Sequence, residues 1–160
     1  MQIPGERELS IRLAEILSSW EGTRYWPNQC AKGAGVDCVR FVCSVMDELR
    51  GLSLPDPETL PQDSAMHNRA GAIATMKTIK QRYAPIAQVS DGSLEPCDIL
   101  VTGPPGGGPG HGLIVGPERN QIWHATALRV QRCGLSFADG DYSKIFAVYR
   151  CGDRETWLNG

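Results

Sequence analysis

Three residues of this 160-residue chain have the types and the order to do chemistry together: Cys38, His111 and His124. Cys38 stands in Gly35-Val36-Asp37-Cys38-Val39-Arg40-Phe41-Val42, where a loop meets an amphipathic segment. His111 lies in Gly110-His111-Gly112-Leu113-Ile114-Val115 and His124 in Ile122-Trp123-His124-Ala125, both strand-like runs. A thiol with a pKa of about 8.5 is mostly protonated at neutral pH, and a helix N-terminus and a nearby imidazolium both favour its anion. The same helix start offers backbone N–H groups, that of Cys38 included, to a developing oxyanion. One imidazole would take up and return the proton, and a second, on a neighbouring strand, would bond the far ring nitrogen and fix the tautomer. Singly, each residue says little. A cysteine on a helix is most often a small core hydrophobe, and a histidine on a strand usually sits at the surface or satisfied in the core.

The elements that must position these residues can be read from periodicity. Leu9, Leu13, Ile16, Leu17 and Trp20 recur at helical spacing and predict a helix over 6–20. Residues 21–37, rich in Gly, Pro, Asn and aromatics, read as a loop. Cys38, Phe41, Val42, Val45, Met46 and Leu49 fall on one face of a second helix, which Asp37 can cap and Gly51 closes. Three prolines make 55–63 irregular, and a weaker stripe of Met66, Ala70, Ile73 and Met76 suggests a third helix over 64–83. Short β-favouring runs then follow at 99–101, 113–115, 121–124, 128–131 and 145–149. Helices first and strands afterwards indicate one α+β domain over 1–160, its N-terminal helices packed on a C-terminal antiparallel sheet. The run from Gly103 to Gly110 reads as a flexible hairpin connection, and it lacks the G-K-[ST] ending of a phosphate-binding loop.

Composition narrows the function. A net charge of −2 without a Lys/Arg cluster gives no basic field for nucleic acid. The apolar runs are too short to span a bilayer, and the N-terminus lacks the basic-then-apolar layout of a signal peptide, so the chain is expected in the cytoplasm as synthesised. The six cysteines, Cys30, Cys38, Cys43, Cys97, Cys133 and Cys151, include no C-x-x-C pair that would support a structural zinc site. Five of them are expected to be buried thiols, with Cys38 alone strongly reactive.

In this order the motifs resemble those of the NlpC family of bacterial cell-wall cysteine peptidases. Gly22-Thr23-Arg24-Tyr25 matches that family's G-x-x-Y loop, and Asp37-Cys38-Val39-Arg40-Phe41 matches part of its D-C-S-G helix start. Pro96-Cys97-Asp98-Ile99-Leu100 is similar to its P-G-D-L strand, with Cys97 where the family has a turn glycine. His111-Gly112-Leu113-Ile114-Val115-Gly116 resembles H-V-G-I-Y, and Ile122-Trp123-His124-Ala125 resembles I-H-A. The resemblance runs over residues 20–126 and departs from the family at Val39-Arg40, where it has a small Ser-Gly pair.

The resemblance implies a papain-like fold and a thiol protease without metal or other cofactor. It would hydrolyse the amide bond between D-glutamate and the following diamino acid in peptidoglycan stem peptides, as in cell wall degradation. Cys38 would be the nucleophile, His111 the base and His124 the orienting member, with Tyr25 and Asp37 as substrate or oxyanion support. Partners would be the peptidoglycan peptide and the phage tail or secretion proteins that deliver the chain to the wall. An acyltransferase or a deamidase on the same scaffold would use the same three residues. The alternative from another class is a non-catalytic structural or binding module of a phage tail.

Overall fold

The computed structural model describes residues 4–51, 86–89, 94–103, 111–118, 121–134 and 144–151, with Lys77 and Gln81 as single positions. The irregular segment expected at 55–63 lies outside these residues, as does the third helix over 64–83 apart from those two positions, and the Gly/Pro run after Gly103.

Helix α1 spans Pro4–Trp20, two residues earlier than the apolar spacing alone suggests, with a proline at its first position, where a missing N–H costs nothing. It buries Leu9, Leu13, Leu17 and Trp20. Helix α2, Cys38–Leu49, begins at the cap expected for Asp37, whose carboxylate accepts the Arg40 N–H. Every residue of α2 except Glu48 is buried, so this helix is the centre of the core rather than a surface helix with one apolar stripe. It ends where Gly51 takes a positive φ of 72° and donates its N–H to the Glu48 carbonyl. The two helices are tied together by Trp20 Nε1, which donates to Glu48 Oε1 at 2.7 Å.

Between the helices the chain forms a small antiparallel hairpin of β1 (Cys30–Ala31) and β2 (Gly35–Val36). The C-terminal part supplies β3 (Ile86–Val89), β4 (Ile99–Gly103), β5 (His111–Val115), β6 (Gln121–Ala125), β7 (Val130–Gly134) and β8 (Lys144–Cys151). These make one six-stranded sheet in the order β3-β8-β4-β5-β6-β7, and every neighbouring pair is antiparallel. The fold is therefore α+β, with the helices packed against an antiparallel sheet. Strand β3 was not anticipated. Strand β7 starts later than the β-favouring run at 128–131, because Thr126 Oγ1 accepts the N–H groups of Leu128 and Arg129 and holds those residues in a turn.

All five positions of β4 and of β5 are buried, so both faces of the sheet are covered there. One face carries Ile99, Val101, Ile114, Trp123 and Ala125 into the cluster that contains Cys38, Val39 and Val42 of α2. The other face joins Leu100, Leu113, Val115, Ile122 and Val148. Ahead of β4, Cys97 adopts a φ of 73°, the left-handed conformation that a glycine takes without strain. Asp98 beside it is clamped by Nε and Nη2 of Arg150, each at 2.9 Å, which fixes the start of β4 against β8. No helix among the described residues is long and apolar enough to cross a membrane.

Candidate active site

Cys38 is the first residue of α2, and the fold sets that helix start against β5. Its thiol accepts backbone N–H groups from Gly112 and Val39. Gly112 faces α2, since a Cβ built on it would lie 3.6 Å from Val42. The thiol therefore rests against the peptide that joins His111 to Gly112. It is completely buried, and this burial, reinforced by the negative charge of Asp37, pushes its pKa up to about 12 against the opposing pull of the N–H groups. The helix start does favour the anion, as the sequence suggests, but desolvation is the larger effect. At rest Cys38 is a shielded thiol and not the strongly reactive one expected from its position.

Asp37 spends its carboxylate on structure. Oδ1 accepts the Arg40 N–H at 2.9 Å, while Oδ2 accepts Arg40 Nη1 at 2.8 Å and the Asn28 N–H at 2.9 Å. Arg40 is 0% exposed, so the ion pair lies wholly inside the protein and fastens the preceding loop to the helix start. Where the resembled family has a small residue, this chain packs a charged one and neutralises it from three residues away.

Tyr25 lies in a strap that runs between β2 and the residues ahead of β7. Its N–H donates to the Leu128 carbonyl, and its backbone bridges Val36, two residues before Cys38. The side chain is half-buried against the core cluster that includes Cys38. The neighbouring Trp26 and Leu128 are exposed, at 56% and 73%.

The two histidines meet. His111 opens β5 and His124 lies on the adjacent β6, and Nε2 of the first is 2.9 Å from Nδ1 of the second. The rings stand edge to face, 5.2 Å apart, and both are buried. Burial lowers the His124 pKa to about 4, so this ring is neutral at physiological pH. The structure thus brings His111 to His124 but does not bring the Cys38 thiol to either ring: alternation along β5 and β6 sets both histidine side chains on the face of Leu113, Val115 and Ile122, while α2 and Cys38 pack on the opposite face, against Gly112 and Ile114. No hydrogen bond between the Cys38 thiol and an imidazole is present among the described residues.

One further group at the site was not singled out in the sequence. Cys133 on β7 has its Sγ 3.4 Å from His124 Nε2, on the side of that ring away from His111. Its thiol is half-buried, and burial raises its pKa. The available signal was strand alternation: Gln131 pairs with His124, so Cys133 follows two residues on along the same face. A β7 ending at 131 conceals it. Cys30, Cys38, Cys43, Cys97 and Cys133 take part in no disulfide, and no cluster of three or more His, Cys, Asp or Glu among the described residues is arranged to hold a metal ion.

No protein-family model and no curated protein matches this sequence. Among solved structures, the chain is similar to a crystal structure of an NLP/P60-family protein, described as similar to lipoprotein, from Staphylococcus aureus subsp. aureus Mu50. The TM-score is 0.57 at 17% sequence identity, over 90% of this chain and 41% of that one. The chain thus spans about two fifths of that neighbour's length, and at this identity the likeness is one of fold.

Proposed function

We propose that this protein is a papain-like cysteine endopeptidase of the NlpC type that hydrolyses amide bonds in peptidoglycan stem peptides, at D-glutamate followed by a diamino acid. The observation that carries the reading is the buried His111–His124 hydrogen bond, set on the strand whose Gly112 N–H touches the Cys38 thiol. The likeness in fold to an NLP/P60 protein supports it.

In this reading Cys38 passes its proton to His111 and adds to the scissile carbonyl. Backbone N–H groups at the start of α2 stabilise the oxyanion. His111 then returns the proton to the leaving amine, and water attacks the acyl-enzyme by the same route in reverse. His124 holds the His111 ring through the 2.9 Å bond. Strand alternation sets the His111 ring on the sheet face away from α2, so this route requires His111 to reach the Cys38 side when substrate binds.

The test is a digest of purified peptidoglycan with mass spectrometry of the released fragments, comparing the natural chain with Cys38→Ala. Fragments cut after D-glutamate by the natural chain alone support the reading. One observation favours a second reading, a non-catalytic structural or binding module: the Cys38 thiol is shielded and held protonated. Retention of intact peptidoglycan without any cleavage would decide for that module.

A further inference from the structure

We infer that Arg24 and Arg129 form a carboxylate clamp beside the start of α2. The clamp grips the free α-carboxylate of D-glutamate in the stem peptide and gives the protein a preference for the acidic over the amidated form of that residue. The identity of the ligand rests on the peptidase reading, while the clamp itself is read from the geometry of the strap that carries Tyr25.

The two arginines are partners in an isolated antiparallel bridge between this strap and the residues ahead of β7. Their backbones are held in place. The Arg24 carbonyl accepts the Val36 N–H at 3.0 Å, and the Arg129 carbonyl accepts the N–H and the Oγ1 hydroxyl of Thr126, each at 3.0 Å. Directly opposed residues of an antiparallel pair have their Cβ atoms about 5 Å apart, and like charges there repel. Both side chains are exposed, and neither makes an ion pair among the described residues. Glu21, three residues before Arg24, reaches Arg132 at 3.9 Å instead, and Asp37, next to Val36, is engaged with Arg40. The backbone therefore sets two unneutralised guanidiniums against each other, a repulsion that an anion between them removes. A carboxylate has an oxygen for each.

Position ties the pair to the substrate. Val36, which bonds Arg24, stands two residues before Cys38, a span of about 7 Å. Tyr25, next to Arg24, packs against the core cluster that includes Cys38. In a stem peptide D-glutamate is joined through its side-chain carboxyl, so its α-carboxylate stays free at the other end of the residue whose carbonyl is attacked. Trp26 and Leu128, each close in sequence to one arginine, are 56% and 73% exposed and offer apolar surface to the rest of the ligand. The Trp26 side chain is fixed at its root, since a Cβ added at Gly35 would meet its Cβ at 2.8 Å.

The experiment is a calorimetric titration of the full chain carrying Cys38→Ala, which keeps the peptide intact, with L-alanyl-γ-D-glutamyl-L-lysine and with its α-amide. At low salt the acid should bind about tenfold more tightly, the size that two exposed ion pairs allow together, and the advantage should shrink as salt is added. Adding Arg24→Gln or Arg129→Gln should weaken binding of the acid by about threefold each, and with both the two peptides should bind alike. Arg132→Gln, which removes an exposed arginine outside the clamp, should keep the preference. Relieved of the repulsion, the ligand-free Arg24→Gln and Arg129→Gln chains should melt no lower than their parent at low salt; a lower melting temperature would show the guanidinium engaged within the protein and overturns the inference. Equal binding of acid and amide by the parent, binding of neither, or a preference that survives the double substitution overturns it too. A preference for the acid in a protein whose natural chain cuts neither peptide leaves the clamp standing and removes the peptidase reading, whereas cleavage of both peptides with equal kcat/KM does the reverse.

Discussion

Acidification asks the buried His111–His124 pair to accept a proton in a place with little water to solvate it. His124 has its pKa lowered from 6.5 to about 4, and burial is the cause. In the unfolded chain the same ring titrates at its ordinary value. Between these two values the unfolded state binds a proton that the folded state refuses, so stability falls as the pH drops through this window. The shift of about 2.5 units, at about 1.4 kcal/mol each, sets a ceiling on the order of 3 kcal/mol, of which about 2 kcal/mol should be lost between pH 7 and pH 4.5. Against a domain stability of about 5–15 kcal/mol, this is readily measured.

Carboxylates also titrate towards pH 4, so the natural chain alone does not isolate the term. The comparison with His124→Asn does, because an amide offers a hydrogen bond without taking a proton. Urea unfolding followed by circular dichroism at pH 7.0 and at pH 4.5 gives four stabilities. The variant should start lower, having lost a ring that touches both His111 and Cys133, but its further loss on acidification should be smaller than that of the natural chain by about 2 kcal/mol. Equal losses in the two proteins would show that His124 takes its proton in the folded state without penalty.

Three other outcomes follow from the same contacts. Iodoacetamide at pH 7, followed by peptide mapping, should modify the half-buried Cys30 and Cys133 before Cys38; above pH 9 the natural chain should lose stability that Cys38→Ala retains, up to about 4 kcal/mol by pH 12. Asp37→Ala removes an N-cap and strips a buried guanidinium of its carboxylate, and should cost about 3–5 kcal/mol in urea unfolding, whereas Arg40→Met, which leaves Asp37 its two backbone N–H donors, should cost clearly less. In the stem-peptide assay His111→Ala should abolish turnover, His124→Ala should lower it by about 10²- to 10⁴-fold, and His124→Asn should recover part of that loss; full activity in His124→Ala would remove His124 from the mechanism.

What could be read in the sequence was whatever depends on near neighbours. The 4-4-3 spacing of Leu9, Leu13, Leu17 and Trp20 marks α1, and an aspartate ahead of an apolar run marks the start of α2. Cys97 at a turn position that prefers glycine was visible as a departure, and its positive φ is the backbone counterpart. The hidden features all depend on distant packing. Strand β3, Ile-Ala-Gln-Val, is only four residues long, and its place in the sheet comes from pairing with β8 more than fifty residues later. Arg40 could be seen to lie within reach of Asp37, but not to be sealed from water, because the sheet that seals it follows far along the chain. Cys133 was hidden by a turn at Thr126 that delays β7.

The burial of Cys38 is the feature with most consequence for the proposed chemistry, and it bears on when the nucleophile is made. A thiol with a pKa of about 12 is not a thiolate at rest. Moving the proton from sulfur to His111 in the free protein would leave two buried charges on opposite faces of the sheet, with the Gly112 and Val39 N–H groups offsetting only part of the sulfur's lost hydration. A substrate carbonyl changes that balance. As sulfur adds to it, negative charge leaves the buried thiol for the carbonyl oxygen, where donors at the α2 N-terminus can receive it. Proton transfer and attack are then favourable together, although ionisation alone is not. On the proposed reading, the same burial that makes Cys38 sluggish toward an alkylating agent confines its reactivity to a carbonyl delivered into the site.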